Sequence, residues 1–271
     1  RLARTSAATY LWVADRPFKT YGELIGHLKH YDPCEDEERS VEEIAEQYRR
    51  SWMSIQDLLD DITLVAGEFY LTLLTFFIAR IGWNFLARLI YKNPELFDEA
   101  LAKYAEVSRK HVEAWSKTGI KAFFSHDDIA TELGPMVSPE WYLDHLFPLY
   151  RKVWQPIKDK GMKLIFISDG KYTPLIDGLA RAGADGFKMN PDARLSRSDL
   201  TEVLEKYGGR KVFSLSVRQE TMVSGSEEET ASELRFLMSL AKQYNGVFVH
   251  QEFEPASFEA YYKTWVENRP R

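Results

Sequence analysis

Residues 162–171 read MKLIFISDGK, and the reading of the fold turns on them. An apolar, β-leaning run stops at a carboxylate and a glycine, Asp169-Gly170, and Thr173-Pro174 then opens a helix. That is the pattern of a buried parallel strand emptying into a βα loop. The same pattern recurs in KAFFSHDD at 121–128, ADGFKMN at 184–190, KVFSLSVRQ at 211–219 and GVFVHQE at 246–252. In each, polar groups of chemical use gather at the strand's C-terminal end.

Between these runs the spacing predicts helices over 139–158, 174–182, 198–207, 227–244 and 258–268. Upstream, Ile62 to Gly67 reads as another strand with Glu68 at its mouth. Strand and helix in alternation imply parallel pairing with right-handed crossovers, in an open doubly wound sheet or a closed barrel. No G-x-G-x-x-G follows any strand, and polar residues follow nearly every one, whereas an open sheet concentrates its ligand at one switch point. The expectation is therefore an α/β TIM (β/α)8 barrel forming one domain over 1–271, with an irregular and helical part at 1–60 and βα units over 61–271. Six strands carry signal, at Ile62, Ile120, Lys163, Gly186, Val212 and Val247, where a full barrel has about eight. Either Ala8 to Ala14 contributes and one strand goes unrecognised, or N-terminal barrel elements are missing.

The first 35 residues otherwise read as irregular. Ser40 with Glu43, and Ser226 with Glu229, have the form of capping boxes, the first opening a helix to about Ile55. Phe69 to Tyr91 reads as one apolar helix, or two divided near Gly82. Asn93-Pro94 pairs a good N-cap with a proline at the first helical position.

The 35 basic and 41 acidic residues are mixed along the chain, for a net charge of −6. No basic stripe argues for nucleic acid. Cys34 is the one cysteine, which excludes an intramolecular disulfide and favours a reducing, cytoplasmic setting. No secretory signal is visible, and the missing initiator methionine suggests a fragment or a processed product. The apolar run Phe69 to Ile78 is too short to span a bilayer and reads as a buried or interface helix, suited to a homodimer contact.

Candidate functional residues sit at the strand ends. Among His126, Asp127 and Asp128, Asp128 is taken as catalytic and His126 as substrate-binding; the bland alternative is an Asp capping the loop and a histidine bonded to a carbonyl. Asp169 is the second catalytic candidate, against an Asx turn, and Gly170 would let backbone approach a ligand. Lys171 either pairs with Asp169 or binds a substrate carboxylate. His250, the third catalytic candidate, alternates with Glu252, so the two share a side of the last strand. With Asp169, and Asp128 from across the mouth, they suit Zn²⁺ or another divalent ion, against an ordinary structural histidine. Arg218 is an anion holder or a salt-bridge partner of Glu220 or Asp169. Met189 and Asn190 shape the mouth. Trp52, Tyr70, Trp83, Tyr91 and Trp115 either line a pocket for a flat substrate or pack as core.

The stretch HDDIATELGPMVSPEWYLDHLFPLYRKVWQPIKDKGMKLIFISDGKYTPLIDGLARAGADGF, from His126 to Phe187, resembles the uroporphyrinogen decarboxylase (URO-D) superfamily, which includes corrinoid-dependent methyltransferases. The similarity runs over about 60–268 and is most specific in D-D-x-x-T-x-x-G-P-x-x-S-P, from Asp127 to Pro139. The resemblance implies a TIM barrel and, since that block looks more like the methyltransferase side, methyl transfer involving the corrinoid of a partner protein. In that branch an H-x-C pair and a later cysteine hold zinc; here Ile167 and Asp169 stand at the pair, and the later cysteine falls near His250 or Gln251. The decarboxylase branch implies a functional histidine near His250 or Gln251, but its arginine-bearing N-terminal motif has no match. Three readings follow: methyl transfer, decarboxylation of a porphyrinogen, and a non-catalytic barrel that binds a tetrapyrrole or a partner protein.

Overall fold

The computed structural model describes residues 2–4, 11–13, 16–60, 63–189, 195–250 and 258–268. Two short strands, β1 (Leu2–Arg4) and β2 (Leu11–Val13), pair antiparallel with each other. Among the described residues of the N-terminal run, these two strands form a separate ribbon and do not join the main sheet. Helix α1 (Tyr21–Leu28) falls in the segment expected to be irregular; Thr20 and Glu23 close a capping box that starts it. Helix α2 (Val41–Leu59) begins at the Ser40–Glu43 box as the spacing predicts.

The core is built from β3 (Gly67–Phe69), α3 (Leu74–Lys92), α4 (Pro94–Ser116), β4 (Ala122–His126), the short antiparallel pair β5 (Ala130–Thr131) and β6 (Gly134–Pro135), α5 (Pro139–Trp141) and α6 (Phe147–Asp159). It continues through β7 (Lys163–Ser168), α7 (Ile176–Ala182), β8 (Gly186–Met189), α8 (Arg197–Tyr207), β9 (Val212–Leu215), α9 (Gln219–Ser224), α10 (Glu227–Gln243), β10 (Val247–Val249) and α11 (Phe258–Asn268). Several bounds differ from the expected ones. The strand expected over 62–67 lies at Gly67–Phe69, with Glu68 inside it; the expected helix over 139–158 passes through a π turn at Tyr142–Leu146; and β5, β6 and α9 were not foreseen. Helix α3 breaks at Gly82, whose φ of 78° interrupts the helical path.

Six strands form one parallel sheet in the order β3-β4-β7-β8-β9-β10. Each new strand is laid beside the previous one without reversal. A doubly wound sheet reverses direction at its switch point; a barrel does not. The sheet is thus an arc of a βα barrel, and among the described residues its edge strands β3 and β10 do not pair with each other.

Register sorts the side chains of this arc into two faces. Ser125, Phe166, Phe187, Phe213 and Val247 stand in one row. Phe166 packs against Tyr150 and Trp154 of α6, so that row faces the helices. The intervening rows face the opposite, concave side: Glu68, Phe124, Ile165, Gly186 and Val212, then His126, Ile167, Lys188, Ser214 and Phe248. Phe248, in the edge strand, is 45% exposed, so the concave face is open there. No helix among the described residues is long and apolar enough to cross a membrane.

Candidate active site at the carboxyl ends of β3, β4 and β7

The site begins where β4 ends, in His126-Asp127-Asp128, and the two aspartates have different fates. Asp127 is fully buried. Its carboxylate accepts the Thr75 amide (2.6 Å), the Leu74 amide (3.0 Å) and the Tyr150 hydroxyl (2.6 Å). Helix α3 has no capping side chain of its own at Leu73, so Asp127 supplies its N-terminal anchor from another strand. Burial pushes the Asp127 carboxyl up to about 6, against the pull of the Thr75, Tyr150 and Leu74 donors.

Asp128 turns to the concave side. Its Oδ1 lies 3.2 Å from Nε2 of His126 and also accepts the Asp169 amide at 3.2 Å, while its own amide donates to Thr75 Oγ1 at 2.6 Å. Asp169 follows β7, where Ser168 Oγ donates to its carbonyl oxygen and accepts the Ile129 amide. One ligand atom from each of His126, Asp128 and Asp169 lies within 4.8 Å of the others. Glu68 of β3 reaches the other ring nitrogen, Nδ1, at 3.7 Å, and Tyr70 stands edge-on to the imidazole with centroids 4.3 Å apart.

Electrostatics follow from this packing. Burial opposes the His126 imidazolium, but the hydrogen bond to Asp128, the nearby Glu68 carboxylate and the charges of Asp128 and Asp169 outweigh it and raise the ring to about 9. Burial first, then the charges of Asp128, Asp169 and Glu68, push the Tyr70 phenol up to about 12, so it stays a hydrogen-bond donor. The donor set, one imidazole and two carboxylates, fits a divalent ion that accepts nitrogen and oxygen ligands.

Other expected residues lie elsewhere. His250 follows β10, with β9 and β8 between it and β7, roughly 14 Å away by strand spacing; its Nδ1 meets Ser214 Oγ at 2.8 Å, and it falls outside the His126–Asp128–Asp169 group. Of the expected metal set of Asp169, His250 and Glu252, Asp169 is grouped among the described residues with His126 and Asp128, while Glu252, like Asn190, lies outside the described residues. Lys171 pairs with Asp199 at 2.8 Å rather than with Asp169. Arg218 pairs with Glu233 at 3.1 Å rather than with Glu220 or Asp169. Met189 is buried on the helix-facing side, beside Leu195, Leu200 and Leu215. Gly170 does allow a close backbone approach, but to the chain itself: a Cβ there would stand 2.6 Å from the Thr131 carbonyl oxygen.

Of the aromatic candidates, Tyr70 is at the site, while Trp115 stacks on Tyr48 in the core and Trp83 and Tyr91 are exposed. Glu68 was read at a strand mouth but not as a site residue, and Lys188 of the concave face was not singled out. The signal that finds them is register: Glu68 pairs with Phe124, and Lys188 with Ile167, in the concave rows.

An arc of parallel strands with an imidazole and three carboxylates at its carboxyl-end mouth defines a βα-barrel protein with its chemistry in the place usual for that architecture. A family model described as uroporphyrinogen decarboxylase (URO-D) matches residues 58–249, well over half of the chain. The chain belongs to the URO-D family. No curated protein sequence matches it. Among solved structures it is similar to a methyltransferase from Methanosarcina mazei, with a TM-score of 0.62 and 15% identity, over 82% of this chain and 63% of that one. The chain thus spans under two thirds of that structure's length, and at this identity the likeness shows the fold alone. A D-psicose 3-epimerase in the presence of D-fructose is similar over 85% of this chain and 78% of its own, at 9% identity and a TM-score of 0.46, which is too loose to argue from.

Proposed function

We propose that the chain is an enzyme of the URO-D family that transfers a methyl group at this mouth, between a small molecule and the corrinoid of a partner protein. The observation that carries the reading is the convergence of His126, Asp128 and Asp169, whose ligand atoms lie within 4.8 Å. Family membership and the likeness to a methyltransferase support it. The three side chains would hold a divalent ion such as Zn²⁺, which when bound acts as a Lewis acid on the group that gives up or takes the methyl.

The chain's own groups prepare that site. His126 has to shed its proton to become a ligand, so ion binding releases a proton at neutral pH. The Asp169 amide and His126 together fix the Asp128 carboxylate. Tyr70, half-exposed and protonated, offers its hydroxyl to whatever enters beside the His126 ring. Decarboxylation of a porphyrinogen fits less well: Glu68, Asp128 and Asp169 make the mouth acidic, and the two cations expected to hold substrate carboxylates are tied to Asp199 and Glu233.

The test is incubation of the purified chain with methylcob(III)alamin and a panel of thiol, alcohol and amine acceptors, following the cobalt absorbance. Demethylation that disappears in a folded Asp169→Ala variant is expected. Intact methylcobalamin with every acceptor, together with conversion of uroporphyrinogen to products with fewer carboxylates, would establish the decarboxylase instead. Tight tetrapyrrole binding without turnover in either assay would mark a binding module.

A further inference from the structure

We infer that Glu68 is the positioning residue of this cation site: its carboxylate accepts a hydrogen bond from Nδ1–H of His126 and so leaves the Nε2 lone pair for the ion shared with Asp128 and Asp169. The inference rests on the cation site proposed above and adds a residue that the ligand group does not contain.

The argument starts from the two faces of one ring. Nε2 lies 3.2 Å from Asp128 Oδ1, and Nδ1 lies 3.7 Å from Glu68 Oε1, so acidic groups flank the imidazole on both edges. A neutral imidazole has one N–H and one lone pair. With the proton on Nε2, the lone pair of Nδ1 would face the Glu68 carboxylate, and no lone pair would be left for an ion beside Asp128. With the proton on Nδ1, Glu68 accepts it and Nε2 becomes a ligand. A carboxylate on the far nitrogen of a ligating histidine fixes the tautomer, holds the ring's orientation and raises its basicity.

The fold makes this partner available from a different strand. Glu68 pairs with Phe124 in the sheet, and Phe124 precedes His126 by one full pleat on the concave face, so Glu68 approaches the ring diagonally from β3. The ring is carried on a fixed backbone and packed on one side. His126 sits in the paired part of β4, its carbonyl oxygen accepts the Thr72 amide at 3.3 Å, and Tyr70 closes over it edge-on. The Glu68 side chain is 51% exposed, so solvent leaves room for the rotation that would shorten 3.7 Å to a bond of about 2.8 Å. The same exposure means that replacing it removes no core packing.

The test uses the full chain, stripped of metal and titrated with Co²⁺ and Zn²⁺ against a chromophoric chelator, with the visible ligand-field bands of the Co²⁺ form recorded alongside. Glu68→Leu is expected to weaken both ions by about 10- to 100-fold and to shift the Co²⁺ bands. Glu68→Gln, whose amide oxygen still accepts the Nδ1–H hydrogen bond, should recover part of the loss, and the metal-free far-UV circular dichroism of the variants and the wild type should match. Wild-type affinity and an unchanged spectrum in Glu68→Leu would overturn the inference while leaving the cation site standing. Loss as complete as in Asp169→Ala would make Glu68 a ligand and overturn its positioning role. No stoichiometric binding by the wild type would sink the cation site, and this inference with it.

Discussion

His126 shows at the scale of one residue how a site can work against burial. Removing the ring from water disfavours its charge, yet Asp128, Glu68 and Asp169 bring it to about 9 from an ordinary 6.5. The folded chain therefore holds this proton more tightly than the unfolded one. The stabilisation is complete below about pH 6.5 and is lost as pH rises through about 9. In chelator-treated protein, the melting-temperature gap between wild type and His126→Asn should narrow across that window; a constant gap would refute the pairing. Asp127 carries a different load. Asp127→Ala would strand two amides and a buried hydroxyl, costing on the order of 3–5 kcal/mol in urea unfolding, whereas Asp128→Ala should cost less and act on the chemistry. Nothing local assigns Asp127 its anchoring role. The pattern marked Asp128 for chemistry, but the anchoring role of Asp127 needs Leu74, Thr75 and Tyr150, none of them its neighbours in sequence.

Elements show where local signals suffice and where they are overridden. The Ser40–Glu43 and Ser226–Glu229 boxes form as expected because each is closed within one turn. Asn93 reads as an N-cap, and Pro94 does start α4, yet the Asn93 side chain accepts the Tyr21 hydroxyl at 2.8 Å and makes no cap bond. The loop after β7 is held the same way, by distant chain. The Lys171 amide donates to the Thr131 carbonyl at 2.8 Å, and Gly170, with φ 77°, lies against the Ala130–Thr131 backbone. Gly170→Ala meets both a left-handed backbone and a steric block made of peptide atoms. It should cost roughly 2–4 kcal/mol in chemical denaturation and move Asp169 enough to impair the site; stability equal to wild type would mean that the two loops are not packed as described.

For the whole molecule, sequential strand order places β4, β7, β8 and β9 inside the sheet and leaves β3 and β10 at its edges. Amide exchange should follow that order, slowest in β7, where both neighbours are paired, and fastest in β10; β10 protected as fully as β7 would point to a further pairing along its edge. The amino-acid sequence by itself determined the alternation of strands and helices, the parallel sheet and the placing of polar groups at strand ends. Those depend on hydrophobic period and turn residues within a few positions of one another. It also marked Asp128, Asp169 and His250 as one candidate set. Only the tertiary structure decided which of them meet, since the sheet puts β4 beside β7 and β10 three strands from it. Only register brought Glu68 to His126, because which residue stands opposite which is settled by pairing between strands that the chain separates by two helices.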